Sequence, residues 1–524
     1  MQNANARMSE AAPAITSPPT RHRNGTTGHR AVRGAAIFAA ASYLSILLGI
    51  AARKWLAVLV LPAVYGLIQA ALSFVDLVFS FSAFSFSSAI INVRENLIEQ
   101  PLEDLQENIL LLTALLNGGL AVIAMMLGVI FAHELGGYVV LGLIGVYVVQ
   151  RVTSAFDTFY SQMLERELEY KRVSSISLIA NIVLHAGSVL IALAGWPVWS
   201  IPVATLLSAI VSASINRVST KRFKLHLLRA KPWQHYNART TRWLLRFGTN
   251  VFFNRLFESW LFRVDNMLVL AFLGTATLGV YAQAFAIAQL PAMALAPIVA
   301  RVSIATYASV QHETAKLEEA FRITNFFLIR LLVPAALVVL FAAPDAVRIF
   351  LSSTWLPSAA PLMALTGFVL TIPLFENAKM LLGAKLRLKE ISIVRATQLA
   401  LLVLGIIAFA TSSAMRVGIV VSMVSVIGYL MIVAYVRRDV RLFVMDVFLY
   451  PVVIGIGALI ALRVAIYPGI IQMIPVEGSI RSATIRLVVL AVGIPLMTLG
   501  LEMILRRKPI LETLGIVRMH YRKK

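Results

Sequence analysis

From about residue 35 to residue 504 the chain repeats one pattern, a long apolar stretch followed by a short polar one. Each apolar stretch holds about 20 residues with few charges, which as a helix is long enough to cross a hydrocarbon core of ~30 Å. Stretches such as Leu110–Ala132 are continuously apolar, whereas a membrane β-barrel needs short alternating segments throughout. The pattern predicts fourteen spans near residues 35–52, 67–92, 109–132, 138–160, 175–194, 197–215, 247–272, 276–300, 323–342, 360–382, 391–410, 417–436, 444–466 and 485–504.

One segment departs from this pattern, because Phe79–Ser87 mostly alternates phenylalanine with serine, and a period of two is typical of a half-buried strand. We nevertheless predict a helix there, since both neighbouring segments can only be helices and serine hydroxyls can bond back to the helical backbone. Small serine side chains also let membrane helices approach one another closely. Asp76, just upstream in the same predicted span, is then an ionisable group at membrane depth.

The composition is that of a membrane protein, with 59% hydrophobic and 14% charged residues. Soluble domains have about 45–50% apolar and about a quarter charged residues. The predicted fold class is therefore all-α, a polytopic integral membrane protein. The chain has no cysteine, which excludes disulfides and cysteine-ligated metals.

The net charge of +22 comes from basic residues that lie mainly in alternate loops and near the two ends of the chain. By the positive-inside rule these loops and both termini are cytoplasmic, which requires an even number of spans. Fourteen spans satisfy this condition. The same distribution argues against a nucleic-acid partner.

A weak internal duplication divides the chain into two halves. Trp55–Val75 is similar to Met267–Ala288, and at nearly the same offset of roughly 216 residues Leu168–Ser177 is similar to Leu386–Val394. Two six-helix bundles around a central cavity are a plan typical of transporters. We therefore predict a disordered basic cytoplasmic tail (1–33), an N-terminal six-helix bundle (34–216), a basic cytoplasmic linker (217–242), a C-terminal six-helix bundle (243–440), two additional transmembrane helices (441–505) and a basic cytoplasmic tail (506–524).

Polar groups follow one face of the seventh predicted span. An ionisable side chain inside a span costs roughly 2.5–3.5 kcal/mol, so it normally faces a cavity or a partner. On a continuous helix, Asn250, Asn254, Glu258 and Asp265 fall within a sector of about 80°, with Arg255 beside them. We interpret this stripe as the wall of a water-filled cavity.

The fourth span has a second polar stripe, and other charged residues are scattered at membrane depth. These residues are Gln150, Ser154, Asp157 and Arg151 in span 4, Asp76 in span 2, Arg330 in span 9, Glu376 and Lys379 in span 10, and Arg53 and Lys54 at the outer end of span 1. Glu376 and Lys379, three residues apart, either pair locally or face the cavity. Arg263 is expected to pair with a neighbouring helix or to reach outward to the membrane surface. The alternative is that all these charges pair between helices and have only a structural role.

Catalytic and cofactor motifs are missing from the sequence. It contains no GxxxxGK[ST] loop, no HExxH, no GxSxG and no pair of aspartates one residue apart that would hold a metal-bound sugar nucleotide. No predicted outer loop exceeds about 20 residues. We therefore expect neither an enzyme nor a bound metal or cofactor.

Three segments together resemble one family. Leu164–Leu207 contains an R-x-L-x-[FY]-[KR] turn from Arg166 and an A-x-x-G-x-x-x-W turn from Ala194, and Arg246–Pro291 and Arg53–Ser73 carry further matches. Over roughly residues 33 to 440, this combination resembles the polysaccharide exporters and Wzx-type flippases of the MOP superfamily. In the turn after the first span, Leu61-Pro62 stands where that family usually has Gly-Pro.

The resemblance implies a flippase of the bacterial inner membrane, both termini cytoplasmic, that moves an oligosaccharide linked to undecaprenyl pyrophosphate to the periplasmic leaflet by alternating access. Its expected partners are membrane lipids, the lipid-linked oligosaccharide, other polysaccharide assembly proteins, and a proton or Na⁺ as the coupling ion. The residues expected to form a cationic cavity surface are, in order, Arg255, Arg151, Arg330, Lys379, Arg53 and Lys54. Asp76, Glu258 and Asp265 are the expected carboxylates for ion coupling.

Three other functions stay open at this point. A multidrug or cation antiporter of the MATE type would need an acidic, aromatic cavity, whereas basic groups are at least as numerous here at membrane depth. A polymerase or ligase acting on the same lipid-linked sugars usually carries a large outer loop. A scaffold of a polysaccharide assembly complex would use the buried charges only for structure.

Overall fold

The computed structural model describes residues 26–84, 86, 87, 90, 102–135, 137–220, 238–441, 445, 449–461 and 480–505. Within these ranges the regular structure is helical throughout. The α-helices are α1 (Thr26–Leu59), α2 (Pro62–Phe79), α3 (Leu102–Leu135), α4 (Tyr138–Arg166), α5 (Tyr170–Leu193), α6 (Pro197–Ser219), α7 (Ala238–Leu261), α8 (Val264–Ala288), α9 (Leu290–Ser309), α10 (Thr314–Phe350), α11 (Ala359–Ala364), α12 (Thr366–Ala384), α13 (Leu388–Phe409), α14 (Ala414–Val436), α15 (Tyr450–Ala461) and α16 (Ile480–Leu505). Two 3-10 turns, Ser80–Ser82 and Ser353–Ser358, follow α2 and α10.

By length and composition, 11 helices in the described part of the chain could cross a membrane, or 12 if the pair Ser353–Ala364 and Thr366–Ala384, bent by 55°, is one span. This count treats Phe252–Leu295 as one segment, although Gly274 breaks it with a φ of 80° and a ψ of 177°. That break lies between the predicted spans 247–272 and 276–300. Dividing the segment there separates the two predicted spans, and α15, a shorter apolar helix of 12 residues, lies within the predicted span 444–466. The all-α, multi-pass membrane fold is thereby confirmed. The number of fourteen spans stays a prediction.

The Phe/Ser segment is neither a strand nor a full helical span. α2 ends at Phe79, a 3-10 turn covers Ser80–Ser82, and Ala83 and Phe84 lie in a turn. The Ser80 hydroxyl donates to the Leu77 carbonyl at 2.5 Å, a bond that competes with continuation of the α-helix. The predicted span 67–92 is therefore shifted toward the N-terminus, and residues 85, 88, 89 and 91–92 lie outside the described part.

At the N-terminus the first helix begins at Thr26, so residues 26–33, predicted as disordered tail, are helical. The rest of that tail, most of the linker (221–237) and the second tail (506–524) lie outside the described residues.

The helices α1–α6 pack mainly on one another, as do α7–α14, and the most extensive contact between the two groups is the crossing of α2 with α8. At this crossing a Cβ on Gly66 would collide with the Thr275 carbonyl, and one on Gly279 with the Pro62 carbonyl. Only a residue without a Cβ lets two helix backbones approach this closely. The two groups are called the N-terminal and C-terminal halves below.

Candidate functional site

A cavity of about 450 Å³ lies where the two halves meet. α2 and its 3-10 turn, α3 and α4 line it from the N-terminal half, and the junction between α7 and α8 lines it from the C-terminal half. Its walls are formed by Asp76, Phe79, Ser80, Ser82, Asn117, Arg151, Ser154, Ala155, Thr158, Ser259, Phe262 and Arg263.

Three charged residues form the cationic wall of this cavity. The Arg151 Nη2 donates to Asp76 Oδ1, and Arg263 Nε lies 2.8 Å from Asp76 Oδ2. The Asp76 side chain is 6% exposed, whereas those of Arg151 and Arg263 are 34% and 31% exposed. Two guanidinium groups therefore share one carboxylate and reach the cavity with one positive charge in excess. Since Arg263 belongs to the C-terminal half, this cluster also bridges the halves.

The lining also carries neutral oxygens, on α3 and α4. Asn117 Nδ2 donates to the Thr113 carbonyl at 2.8 Å, and Thr158 Oγ1 donates to the Ser154 carbonyl at 2.9 Å. One amide hydrogen of Asn117 and the hydroxyl hydrogen of Thr158 are used within their own helices, and both side-chain oxygens can accept hydrogen bonds. The cavity thus combines the two guanidinium donors with these acceptors, and Phe79 and Phe262 add apolar rings.

Four of the residues singled out from the sequence come together here: Asp76, Arg151 and Ser154, together with Arg263. For Arg263 the pairing with a neighbouring helix is confirmed. Arg255, the first cationic candidate, is exposed and does not line this cavity.

The polar stripe predicted along span 7 is wrong, because it assumed a continuous helix. α7 ends at Leu261 and α8 begins at Val264, and the break changes the register of the two parts. Asp265 is 1% exposed and accepts a hydrogen bond from the Tyr281 hydroxyl at 2.6 Å, so it faces the protein core. Asn254 Nδ2 donates to the Leu388 carbonyl at 3.3 Å, away from the cavity.

Two polar candidates of span 4 also lie outside the cavity wall. Asp157 accepts hydrogen bonds from Ser212 at 2.8 Å and Asn216 at 2.7 Å, both on α6, because it faces the interior of the N-terminal half. Gln150 donates to the Ser154 hydroxyl at 2.9 Å. The side chain of Asn250 lies outside the described residues.

Glu258, Glu376, Lys379 and Arg395 form a second charged cluster, within the C-terminal half. Lys379 Nζ lies 2.9 Å from Glu258 and 2.5 Å from Glu376, and Arg395 Nη2 lies 3.4 Å and 2.8 Å from the same two carboxylates. The local pair of Glu376 with Lys379 is confirmed, but as part of a neutral network of two cations and two anions. Lys379 and Glu258 are therefore bound to each other rather than directed into the cavity.

Arg395 was not singled out in the sequence, although it lies in predicted span 11. Its side chain is 1% exposed, and its guanidinium carbon lies 4.0 Å from the centre of the Phe375 ring. The sequence does contain a signal for Arg395, because any ionisable residue within a membrane span is energetically costly and therefore needs a partner or a cavity.

Two further ion pairs join α10 to α16. Arg330 Nε lies 2.8 Å from Glu502, and Arg486 Nη2 lies 2.7 Å from Asp345. Arg330 was predicted in the cavity, but it faces the last span, because Glu502, a buried carboxylate there, needs a cation. Glu502, Arg486 and Asp345 were missed.

The two remaining cationic candidates lie near the end of α1. Lys54 Nζ donates to the Arg348 carbonyl at 3.2 Å, and Arg53 has a buried Nη1 without a hydrogen-bond partner. Neither lines the cavity. Lys54 is therefore occupied by a contact with the C-terminal half.

Comparison with known proteins gives matches in sequence. A family model described as "Polysaccharide biosynthesis protein" matches residues 55–360. The Teichuronic acid biosynthesis protein TuaB of Bacillus subtilis (strain 168) is 26% identical over 168 residues, which are 31% of this chain and 32% of that protein. The match thus spans about a third of the length of this curated relative.

Solved structures with the same fold include the lipid II flippase MurJ in an inward closed conformation, with a TM-score of 0.70 and 15% identity, covering 91% of this chain and 100% of that chain. An inward-facing multidrug resistance MATE family transporter of the MOP superfamily gives a TM-score of 0.58 with 15% identity, covering 77% of this chain and 98% of that one. The Vibrio cholerae MATE transporter VcmN gives 0.53 with 14% identity, covering 78% and 97%. At these identities the similarity establishes the fold.

Proposed function

Because this chain belongs to the polysaccharide biosynthesis protein family, we propose that it is a flippase for a lipid-linked oligosaccharide. It would move its substrate, carried on undecaprenyl pyrophosphate, from the cytoplasmic to the periplasmic leaflet of the bacterial inner membrane for surface polysaccharide biosynthesis. The observation that carries the proposal is the cavity between the halves, in which two arginines share one carboxylate.

The chemistry of the walls matches such a substrate. Arginine guanidinium groups bind phosphate oxygens through paired, charge-assisted hydrogen bonds, which are stronger than those between neutral groups. The acceptor oxygens on α3 and α4 suit the hydroxyl groups of a sugar. The lipid tail needs no polar partner and can stay in the membrane between helices.

The position of Asp76 connects binding with movement. Its carboxylate neutralises one of the two guanidinium charges and links α2 to Arg263 of the other half. A phosphate group competes with Asp76 for the same donors. Binding would therefore replace a bridge within the protein by a bridge through the substrate, which allows the halves to rearrange in alternating access.

We also propose that export is coupled to an ion gradient through a carboxylate. Glu258 is paired with Lys379 and Arg395, and Asp265 is bonded to Tyr281, so a cation at either carboxylate would have to displace an existing partner. Asp76 is the one coupling candidate that lines the cavity. Asp76 is paired as well, with Arg151 and Arg263, but an ion in the cavity can reach it, so we propose Asp76 as the coupling carboxylate.

The test compares three arginines. Arg151→Gln and Arg263→Gln should each abolish export, with lipid-linked oligosaccharide accumulating at the cytoplasmic face of the membrane, as measured by mass spectrometry of extracted lipids. Arg255→Gln removes the same kind of charge one helical turn from the cavity residue Ser259 and should leave export intact. All three variants must be present in the membrane in wild-type amounts. Normal export by Arg151→Gln and Arg263→Gln would reject the proposal.

The MATE-type antiporter is the second candidate, because the fold is shared. A cationic drug would require a negative cavity, whereas the described lining has two guanidinium groups against one carboxylate. Binding of pyrophosphate, and not of an organic cation, by the purified protein would separate the two functions.

A further inference from the structure

The C-terminal end of α1 is completed by side chains of the other half. The last carbonyls of an α-helix have no partner within the helix and need one when they are buried. The carbonyl of Ala57, a residue that is 3% exposed, accepts hydrogen bonds from Trp355 Nε1 at 2.8 Å and from the Ser352 hydroxyl at 3.3 Å. Both donors lie between α10 and α11, in the C-terminal half.

The reverse contact exists at the end of α10. This helix ends at Phe350, and the carbonyl of Arg348 in its last turn accepts a hydrogen bond from Lys54 Nζ at 3.2 Å. A cation at a helix C-terminus also interacts favourably with the helix dipole. Each half therefore supplies the cap for a helix of the other half. We call these contacts of Lys54, Ala57, Arg348, Ser352 and Trp355 the reciprocal cap.

The reciprocal cap lies far from the cavity along the membrane normal. The fully buried Trp355 packs edge to face on Tyr65 of α2, with ring centres 5.7 Å apart. Asp76 follows Tyr65 by eleven residues on the same helix, which is ~16 Å. The cap thus closes the end of the molecule at which α1 ends and α2 begins, and the cavity lies toward the other end.

We propose that the reciprocal cap is the outer gate of the transporter, a latch that is closed in this structure and opens when the cavity faces outward. This rests on the proposed function and on the predicted topology, in which α1 ends at the outer surface. The contacts suit a reversible latch, because water can replace each capping donor once the two ends separate. The bonds then favour the closed state only modestly, and substrate binding can shift the balance.

A cysteine reporter can measure opening, since the chain has no cysteine of its own. Val60, 2% exposed and in the same apolar cluster as Trp355, is replaced by cysteine and treated in whole cells with a membrane-impermeant maleimide. In this background Trp355→Phe removes the indole donor but keeps an aromatic ring, and Lys54→Met removes the ammonium group. Each should raise the labelling rate about two- to tenfold, as expected for the loss of one hydrogen bond.

Ser358→Ala is the matched control. The Ser358 hydroxyl donates to the Val280 carbonyl at 2.9 Å, a bond from the same loop that stays within the C-terminal half, so labelling should not change. If Trp355→Phe fails to fold, the labelling rates of Ser352→Ala and Lys54→Met are compared with the control instead. Unchanged labelling in these variants, or rapid labelling of Val60→Cys without them, would overturn the latch. The labelling assay does not depend on transport, so it can fail or succeed independently of the flippase proposal. If the latch variants raise labelling while the cavity variants Arg151→Gln and Arg263→Gln still export, the latch is supported and only the flippase proposal is rejected.

Discussion

At Asp76 two guanidinium groups, from Arg151 and Arg263, converge on a carboxylate whose side chain is 6% exposed. Neither arginine could be buried at this depth without an anion, and one carboxylate cannot neutralise both. The excess charge is the basis of the anion binding proposed for this cavity. The shared carboxylate also keeps the guanidinium groups close together although they repel each other.

Removing this carboxylate should make the protein depend on an external anion. In Asp76→Asn the two guanidinium groups lose their bridge, so the empty protein should unfold at a lower temperature than the wild type. Pyrophosphate should then raise the unfolding temperature of Asp76→Asn more than that of the wild type, as measured by thermal unfolding of the purified protein.

Asp157→Asn is the control for this experiment, since Asp157 lies on α4, the helix that carries Arg151, but is bonded to the neutral side chains Ser212 and Asn216. Its loss should not change the response to pyrophosphate. Equal stabilisation of the wild type and Asp76→Asn would show that the cavity arginines do not bind the anion.

Sequence alone located Asp76 and Arg151, because a charged residue in an apolar span is conspicuous. It could not tell which charged residues face the cavity, since partners such as Asp76 and Arg263 are separated by almost two hundred positions. Arg395 was overlooked for a simpler reason, because it was read as part of an apolar span.

Arg395 should be one of the most sensitive positions for stability. Its guanidinium group pairs with Glu258 and Glu376 and is 1% exposed, so Arg395→Leu leaves two carboxylates with only Lys379 between them. Loss of one partner of a buried ion pair typically costs about 3–5 kcal/mol of folding free energy. A clear fall in the unfolding temperature of the purified protein is expected.

A surface pair gives the comparison for Arg395. Lys316→Leu removes an ion pair with Glu313 three residues earlier, whose two side chains are 66% and 54% exposed, and such an exposed pair contributes about 0–1 kcal/mol. If both variants unfold at the same temperature, the Arg395 network contributes no special stability.

At the scale of helices, the apolar pattern predicted where the membrane-spanning segments lie better than it predicted where a helix is interrupted. Fourteen spans could be counted because each needs about 20 apolar residues, a requirement of the bilayer alone. The break between Leu261 and Val264 could not be predicted, since no proline or glycine marks it in the sequence. It nevertheless decided the site, because it turned Asp265 into the core and Arg263 into the cavity.

The attachment of α16 to α10 is a second feature of this scale. Near one end of the contact, Arg330 of α10 pairs with Glu502 of α16. Near the other end the charges are exchanged, and Asp345 of α10 pairs with Arg486 of α16. The two ion pairs are compatible only with an antiparallel arrangement in one register. The additional helices are thus fixed to the C-terminal half and should move with it.

A double-mutant cycle tests this attachment. Arg330→Met and Glu502→Met should each lower the unfolding temperature, because each leaves a charge buried without its partner. The double variant should be less destabilised than the sum of the two, with a coupling of about 1–3 kcal/mol. Arg330→Met combined with Asp345→Asn, which belong to different pairs, should show additive effects instead. Additivity of Arg330→Met with Glu502→Met would contradict direct pairing.

At the scale of the whole molecule, the structure brings several basic loops to one end. Lys385 Nζ donates to the Gln311 carbonyl at 2.6 Å, and Arg387 pairs with Asp439, so the loops after α9, α12 and α14 lie together. By the positive-inside rule we expect this end to be cytoplasmic. The reciprocal cap, at the end of α1, would then lie at the outer surface.

Reporter fusions test this orientation and with it the direction of transport. Alkaline phosphatase, active only outside the cytoplasm, should be active when inserted at Trp196 in the turn between α5 and α6, because helices of one chain alternate in direction. A fluorescent protein that matures only in the cytoplasm should be bright when fused after Thr220, at the opposite end of α6. The reverse pattern would place the reciprocal cap inside, so that the closed gate of this structure would be the cytoplasmic one and the cavity would face the periplasm. The two fusions thus determine whether the state described here receives substrate or releases it.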